Sequence, residues 1–205
     1  MGRWTNENAY DSTVNAAVNA LAWPIAKDQA VAFVKGVIAS ESAFNPRAAA
    51  NEAHINDSSA GLMQLLYATA QGLGYRGARP TAADRQGLLG LYHPATNITL
   101  GTRLLNNLVV KYGGDLERAA SAYNGGDRPT LGLGTRATKP GRICLQWKPD
   151  APPVGRTIDQ HCARPYAYKA GEFGNQPYVT KVMVNYNYFF VSAAGSPPPP
   201  HPKTA

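Results

Sequence analysis

The sequence predicts a mainly α-helical domain over residues 10–194. It is preceded by a loose arm at 1–9, interrupted by an irregular basic insertion at 128–169, and followed by an extended proline-rich tail at 195–205. Three observations carry that expectation. Apolar residues recur at helical spacing within 28–44, 97–112 and 177–190. At 205 residues and 44% hydrophobic content, the chain can bury one substantial core. No run of 18 apolar residues exists, so no membrane insertion is expected.

In order, Asp11-Ser12 is a cap for a short helix over 12–22, with Val14, Val18 and Leu21 on one face and Trp23-Pro24 as the stop. Asp28 is the expected N-cap of the next helix. Val31, Val34, Val37 and Ile38 form its apolar stripe, and it should stop at Phe44, because Asn45 precedes Pro46. Residues 45–60 read as a long polar loop, of the kind that often carries function. Gly61–Leu73 reads as a short helix, and 74–95 as loop with a turn of helix at 82–91. Thr96 is the expected cap of a helix over 97–112 whose stripe is Ile98, Leu100, Leu104, Leu105, Leu108 and Val109, stopped by Gly113-Gly114. Asp115 caps a helix packed through Ala119, Ala120 and Ala122, which ends at Tyr123-Asn124-Gly125-Gly126. Pro177 opens the last helix, with Val179, Val182, Met183, Tyr186 and Phe190 on one face. The insertion holds six prolines and eight Lys or Arg against Asp150 and Asp159, and at that length should conceal a strand or hairpin. It suits a flap over a binding cleft or a segment docked elsewhere.

One acid stands out. Glu41 lies three and four residues after Ile38 and Val37, so its carboxylate falls at the end of the apolar stripe. Desolvation there raises a carboxyl pKa and makes a general acid available near neutral pH. The plain alternative is a helix-end glutamate at a satisfied surface site. Among the other acids, Asp11, Asp28 and Asp115 read as caps, Glu7, Asp150 and Asp159 fall in tails or loops, and Glu117 sits in a first helical turn. Asp57 reads as a turn-former, or as a second carboxylate able to position water.

Net charge is +7 and the isoelectric point about 9.5, which suits an anionic partner. No arginine-rich helix or aromatic interleaving points to nucleic acid, and none is expected as a partner. Cys144 and Cys162 fit a disulfide formed outside the cytoplasm, and equally two buried thiols. His161-Cys162 has no companion pair at ligand spacing, so no metal is expected. The amino end lacks the ordered features of a signal peptide. Export by another route, as for a phage protein carried in the particle or released at lysis, is expected if no signal has been removed.

Several motifs follow one another in a fixed order: Glu41-Ser42-Ala43-Phe44-Asn45-Pro46, Ala60-Gly61-Leu62-Met63-Gln64-Leu65, Thr69-Ala70, Asn97-Ile98 with Gly101, Ala122-Tyr123-Asn124-Gly125-Gly126, and Pro177-Tyr178-Val179 with Val182. This ordered set resembles the lytic transglycosylases with a soluble-type catalytic domain, across about residues 28–190. The resemblance implies a lysozyme-like fold, peptidoglycan glycan strands as substrate, action in the periplasm or cell wall, and no cofactor. It implies Glu41 as catalytic residue, with Tyr123 opposite it near the sugar. Met63 and Gln64 would line the cleft, Gln64 as a hydrogen-bond partner; Met63 reads equally as core filler. Asn124 would bond the substrate or the turn. A serine usually follows the catalytic helix closely; here Ala50 falls near that place, and Ser58 or Ser59 is the substitute, with Ser59 taken as the candidate. Glu172 matches a family glutamate near the last helix, at a spacing two residues too long. Tyr67 stands where many members have proline.

The resemblance implies a one-glutamate reaction. Glu41 protonates the oxygen between N-acetylmuramic acid and N-acetylglucosamine, the substrate's acetamido group assists, and Glu41 then takes a proton from the 6-hydroxyl to close an anhydro ring. The alternatives are a muramidase using Asp57 and water, and a wall-binding or virion structural protein without catalysis.

Overall fold

The computed structural model describes residues 2–148 and 157–193. The expected tail at 195–205 and Asp150 lie outside the described residues. No described helix is long and apolar enough to cross a membrane.

Helix α2 (Lys27–Ser42) runs through the core. The predicted stripe is only part of what it buries: Ala30, Ala32, Phe33, Gly36 and Ala39 are covered as well as Val34, Val37 and Ile38. Helix α8 (Gln176–Ala193) lies along it. Gly36 permits that approach, because a Cβ there would stand 2.9 Å from the backbone nitrogen of Tyr186. Helices α1 (Asp11–Asn19), α5 (Pro94–Lys111) and α6 (Leu116–Gly125) complete the bundle. Val14, Val18, Ile98, Leu105, Val109, Ala119 and Val182 meet in one cluster.

Several helix boundaries differ from expectation. Asp11 does not cap α1; it pairs with the largely buried Lys35 at 2.6 Å. Asp28 lies inside the first turn of α2, and Ala26 is the N-cap, its N–H bonded to Gln29 Oε1. That helix stops at Ser42 rather than Phe44, because Ala43 and Phe44 both take left-handed dihedrals. The turn drives Phe44 into the core beneath Trp4 and Phe189, which offsets its strain. Helix α5 starts at Pro94, with His93 and not Thr96 as its cap. Asp115 caps α6 as expected, accepting from Arg118 N at 3.0 Å. The arm at 1–9 is anchored: Trp4 stacks on Phe189, and Glu7 accepts from the N–H groups of Arg3 and Trp4.

The polar loop is a small antiparallel sheet. Strands β1 (Ala49–Glu52), β2 (Asp57–Ala60) and β3 (Leu65–Leu66) pair in the order β1-β2-β3, with Glu52 opposite Asp57 and Ala60 opposite both Ala49 and Leu65. The expected helix at Gly61–Leu73 is therefore a turn, then β3, then α3 (Tyr67–Gly72). Gly61, at φ +77°, leaves room for Asn97, whose amide donates to Ala60 O and Leu91 O and whose Oδ1 accepts from Met63 N. One side chain thus fixes the sheet's turn to α5. Helix α4 (Ala82–Gly87) is capped by Thr81 and Asp84 bonding reciprocally.

The insertion contains the concealed hairpin. Strands β4 (Gly141–Trp147) and β5 (Cys162–Tyr168) pair antiparallel, joined by a disulfide between Cys144 and Cys162, with a short helix α7 (Ile158–His161) before β5. The free-thiol alternative is thereby ruled out.

Candidate active site

Glu41 sits in the last turn of α2, partly exposed at the surface. Its Oε1 accepts a hydrogen bond from the hydroxyl of Tyr178, on α8, at 2.5 Å. Three residues on, Lys181 donates from Nζ to Ser40 O at 2.6 Å, which holds its ammonium beside the glutamate's backbone. Asn185, one further turn along, donates to Ser40 Oγ at 2.9 Å. One face of α8 thus ties down the end of α2 around the acid, at steps of three and four.

Burial dominates the electrostatics. Desolvation pushes the Glu41 carboxyl up to about 7, against the Tyr178 hydrogen bond and the Lys181 charge, which both favour the carboxylate; the charge of Glu52 adds to the rise. Burial and the proximity of Glu41 push the phenols of Tyr178 and Tyr123 well above their ordinary value, so both stay protonated donors. Glu52, at the end of β1, is itself raised by burial and then by Asp57.

The sequence-predicted residues fall into three groups. Tyr123 stands with Glu41, and its hydroxyl donates to Met63 O at 2.8 Å. Met63 is wholly buried; its carbonyl holds Tyr123 while its side chain fills the core beside Gly101. Ser59 and Gln64 form a second group on the sheet's turn. Ser59 Oγ donates to Gln64 Oε1 at 3.0 Å, and Gln64 Nε2 donates to Gly61 O at 2.9 Å. The third group is taken up by the junction around α8. Asn124 Oδ1 accepts from Asn175 Nδ2 at 3.0 Å, and Glu172 accepts from Lys169 N at 2.8 Å and Tyr166 Oη at 3.3 Å.

Asp57 is buried and committed. Its Oδ1 accepts from Ser58 N, its Oδ2 from Ala68 N in the first turn of α3, and Arg79 lies 3.5 Å away. Sequence reasoning gave no role to Tyr178, Lys181 or Glu52. The available signal was Tyr178 on the apolar face of the last helix, one turn before Val182.

A family model described as "Transglycosylase SLT domain" matches residues 19–139. The chain belongs to that family. A Haemophilus influenzae protein provisionally named a soluble lytic murein transglycosylase is 38% identical over 119 residues, which are 58% of this chain and 18% of that protein. The fold resembles that of the 70 kDa soluble lytic transglycosylase of Escherichia coli, with TM-score 0.54 and 18% identity, over 92% of this chain and 25% of the other. It also resembles the lytic transglycosylase Slt of Pseudomonas aeruginosa, solved as an inactive glutamate-to-glutamine mutant, with TM-score 0.52 and 20% identity, over 95% and 25% of the two chains. The architecture is therefore the lysozyme-like one. This SLT chain spans only 18% of the Haemophilus protein and 25% of each solved chain.

Proposed function

We propose that this SLT domain cleaves the β-1,4 bond between N-acetylmuramic acid and N-acetylglucosamine in peptidoglycan, leaving 1,6-anhydro ends, with Glu41 as acid and then base. The observation that carries this reading is the Glu41 carboxyl, partly buried at the end of α2, bonded by Tyr178 and pushed up to about 7. An acid that must also serve as base works best with a pKa near the working pH. Membership of the SLT family, and the relatives named as lytic transglycosylases, support the substrate and the reaction.

The protonated Glu41 gives its proton to the glycosidic oxygen, and the bond from that oxygen to C1 breaks. The substrate's acetamido oxygen bonds C1 and stabilises its positive charge. The carboxylate left behind is held by the Tyr178 hydroxyl and the Lys181 charge. It then takes the proton of the C6 hydroxyl, whose oxygen attacks C1 and displaces the acetamido oxygen. The ring closes without water, and Glu41 ends protonated.

A hydrolytic outcome needs a second carboxylate to hold water. Asp57 has both oxygens engaged, and its charge acts on Glu52, whose own charge reaches Glu41. Mass spectrometry of digested wall separates the readings. Anhydro ends are expected; reducing ends would replace the transglycosylase with a muramidase; inactivity of both wild type and Glu41→Gln on wall that both bind would leave a binding protein. The disulfide supports work in an oxidising compartment, the periplasm or the wall beyond it. The proline-rich tail would tether the domain to a larger assembly.

A further inference from the structure

Two phenols stand by Glu41 on different elements, Tyr123 near the end of α6 and Tyr178 in the first turn of α8. The bond from Tyr178 to Glu41 requires the start of α8 to be held in place, and the side chain that holds it lies three residues earlier. Asn175 is 1% exposed, and its amide is fully engaged. Its Nδ2 donates to Ser121 O and to Asn124 Oδ1, both at 3.0 Å, and its Oδ1 accepts from Ser121 Oγ at 2.7 Å. Ser121 is wholly buried, and its Oγ also accepts from Gly134 N at 3.0 Å. The backbone carbonyl of Asn175 accepts from Tyr178 N at 2.9 Å and from Val179 N at 3.3 Å. One residue therefore starts the helix that carries Tyr178 and fastens that start to α6.

Helix α6 is a firm support for that fastening. Ser121 and Asn124, three residues apart, share one face of the helix, and Tyr123 lies on another. From there its hydroxyl donates to Met63 O at 2.8 Å. The end of α6 is thus held by the sheet's turn on one side and by Asn175 on the other. The junction also has little slack. Gly174 N donates to Gly132 O at 2.8 Å, and a Cβ on Gly174 would stand 2.0 Å from Leu131 O. A buried polar network whose members are all bonded favours one arrangement over its neighbours, because any slip leaves a desolvated donor or acceptor unpaired.

We propose that Asn175 is a positioning residue for the reaction at Glu41: through Ser121 and Asn124 it ties the start of α8 to α6, and so keeps the Tyr178 hydroxyl on the carboxylate. The inference rests on the reading of Glu41 as the acid. Its effect runs through Tyr178, so it should vanish when residue 178 has no hydroxyl to place.

The test compares Asn175→Ala, Tyr178→Phe and the double variant, with turnover of peptidoglycan read well below each melting temperature. Asn175→Ala is expected to lower kcat about tenfold with KM within about twofold of wild type. The Glu41 carboxyl, followed by carbon-13 NMR without substrate, is expected to titrate higher, as it should in Tyr178→Phe. The double variant is expected to match Tyr178→Phe in both readouts, because the two substitutions interrupt one path. Ser121→Ala removes one bond and leaves the Asn175 donors in place. It should move both readouts the same way by less, and it carries the test if Asn175→Ala does not fold. A lowered melting temperature with wild-type kcat and an unmoved carboxyl would make the pair a structural tie alone and overturn the proposal. So would a double variant in which the two losses multiply. Products of the wild-type chain are scored separately: reducing ends in place of anhydro ends remove the transglycosylase reading, while the coupling of Asn175 to Glu41, read without substrate, stands.

Discussion

The Tyr178 hydroxyl lies 2.5 Å from Glu41 Oε1, although 137 residues separate them in the chain. The bond stabilises the charged carboxylate, so removing it weakens Glu41 as an acid. Tyr178→Phe is expected to lower kcat/KM by about 10- to 100-fold, the value of a hydrogen bond to a charged group. The alkaline limb of the pH–rate profile should move upward at the same time. Loss of rate with an unmoved limb would assign Tyr178 to substrate contact instead.

Lys181 and Glu52 act on Glu41 with opposite signs. Lys181→Met removes a favourable charge, so the carboxyl should titrate above about 7; Glu52→Gln removes an unfavourable one, so it should titrate below. Carbon-13 NMR of the carboxyl, assigned with Glu41→Gln, reads both shifts without substrate. Movement of the two variants in the same direction contradicts the arrangement.

The raised carboxyl also couples stability to pH. Glu41 holds its proton up to about 7 when folded, against a usual value near 4.5. Between those limits the folded state binds more protons than the unfolded one, so stability falls as pH rises through the window. Glu41→Gln keeps the shape without the charge. It should melt like wild type at pH 4 and be more stable at pH 8, by about 1–3 kcal/mol. Equal melting at both values would mean the acid is ordinary.

Reduction of Cys144–Cys162 opens a loop of 18-residue separation. A staple of that span is worth about 3 kcal/mol. Hydrogen exchange should therefore accelerate in 141–168 under reductant while α2 and α8 stay protected. Uniform acceleration across the helices would show that the β4–β5 hairpin is integral to the core.

Gly36→Ala places a methyl group 2.9 Å from Tyr186 N. The contact must open by shifting α8, at a cost of about 1–3 kcal/mol. Because α8 also carries Tyr178 and Lys181, activity should fall more than stability accounts for. A stable variant with full activity would show that the helix can slip without moving the site.

Much of the helical frame was legible because periodicity is a local property. The stripe at 97–112, the Asp115 cap and the place of Glu41 at the end of an apolar face all follow from spacing. The sheet was not. Ala49–Glu52, Asp57–Ala60 and Leu65–Leu66 are short and lack β-branched residues, and they are strands because they pair with one another. Caps went astray where a side chain had a better partner, as Asp11 does in Lys35. Asp57, read from the sequence as a turn-former, instead opens β2, and its bond to Ala68 N depends on where α3 lands. The Tyr178–Glu41 pair escaped for the same reason: nothing local links the two ends of the chain.

That separation bears on how the protein is made. A ribosome delivers α2 long before α8, and until the last helix docks, Glu41 lacks both its apolar cover and its phenol partner. A nascent chain stalled before residue 176 lacks the phenol that bonds Glu41 and the Lys181 charge beside it. The bonded, desolvated acid is therefore assembled only once α8 has been made and has docked on α2.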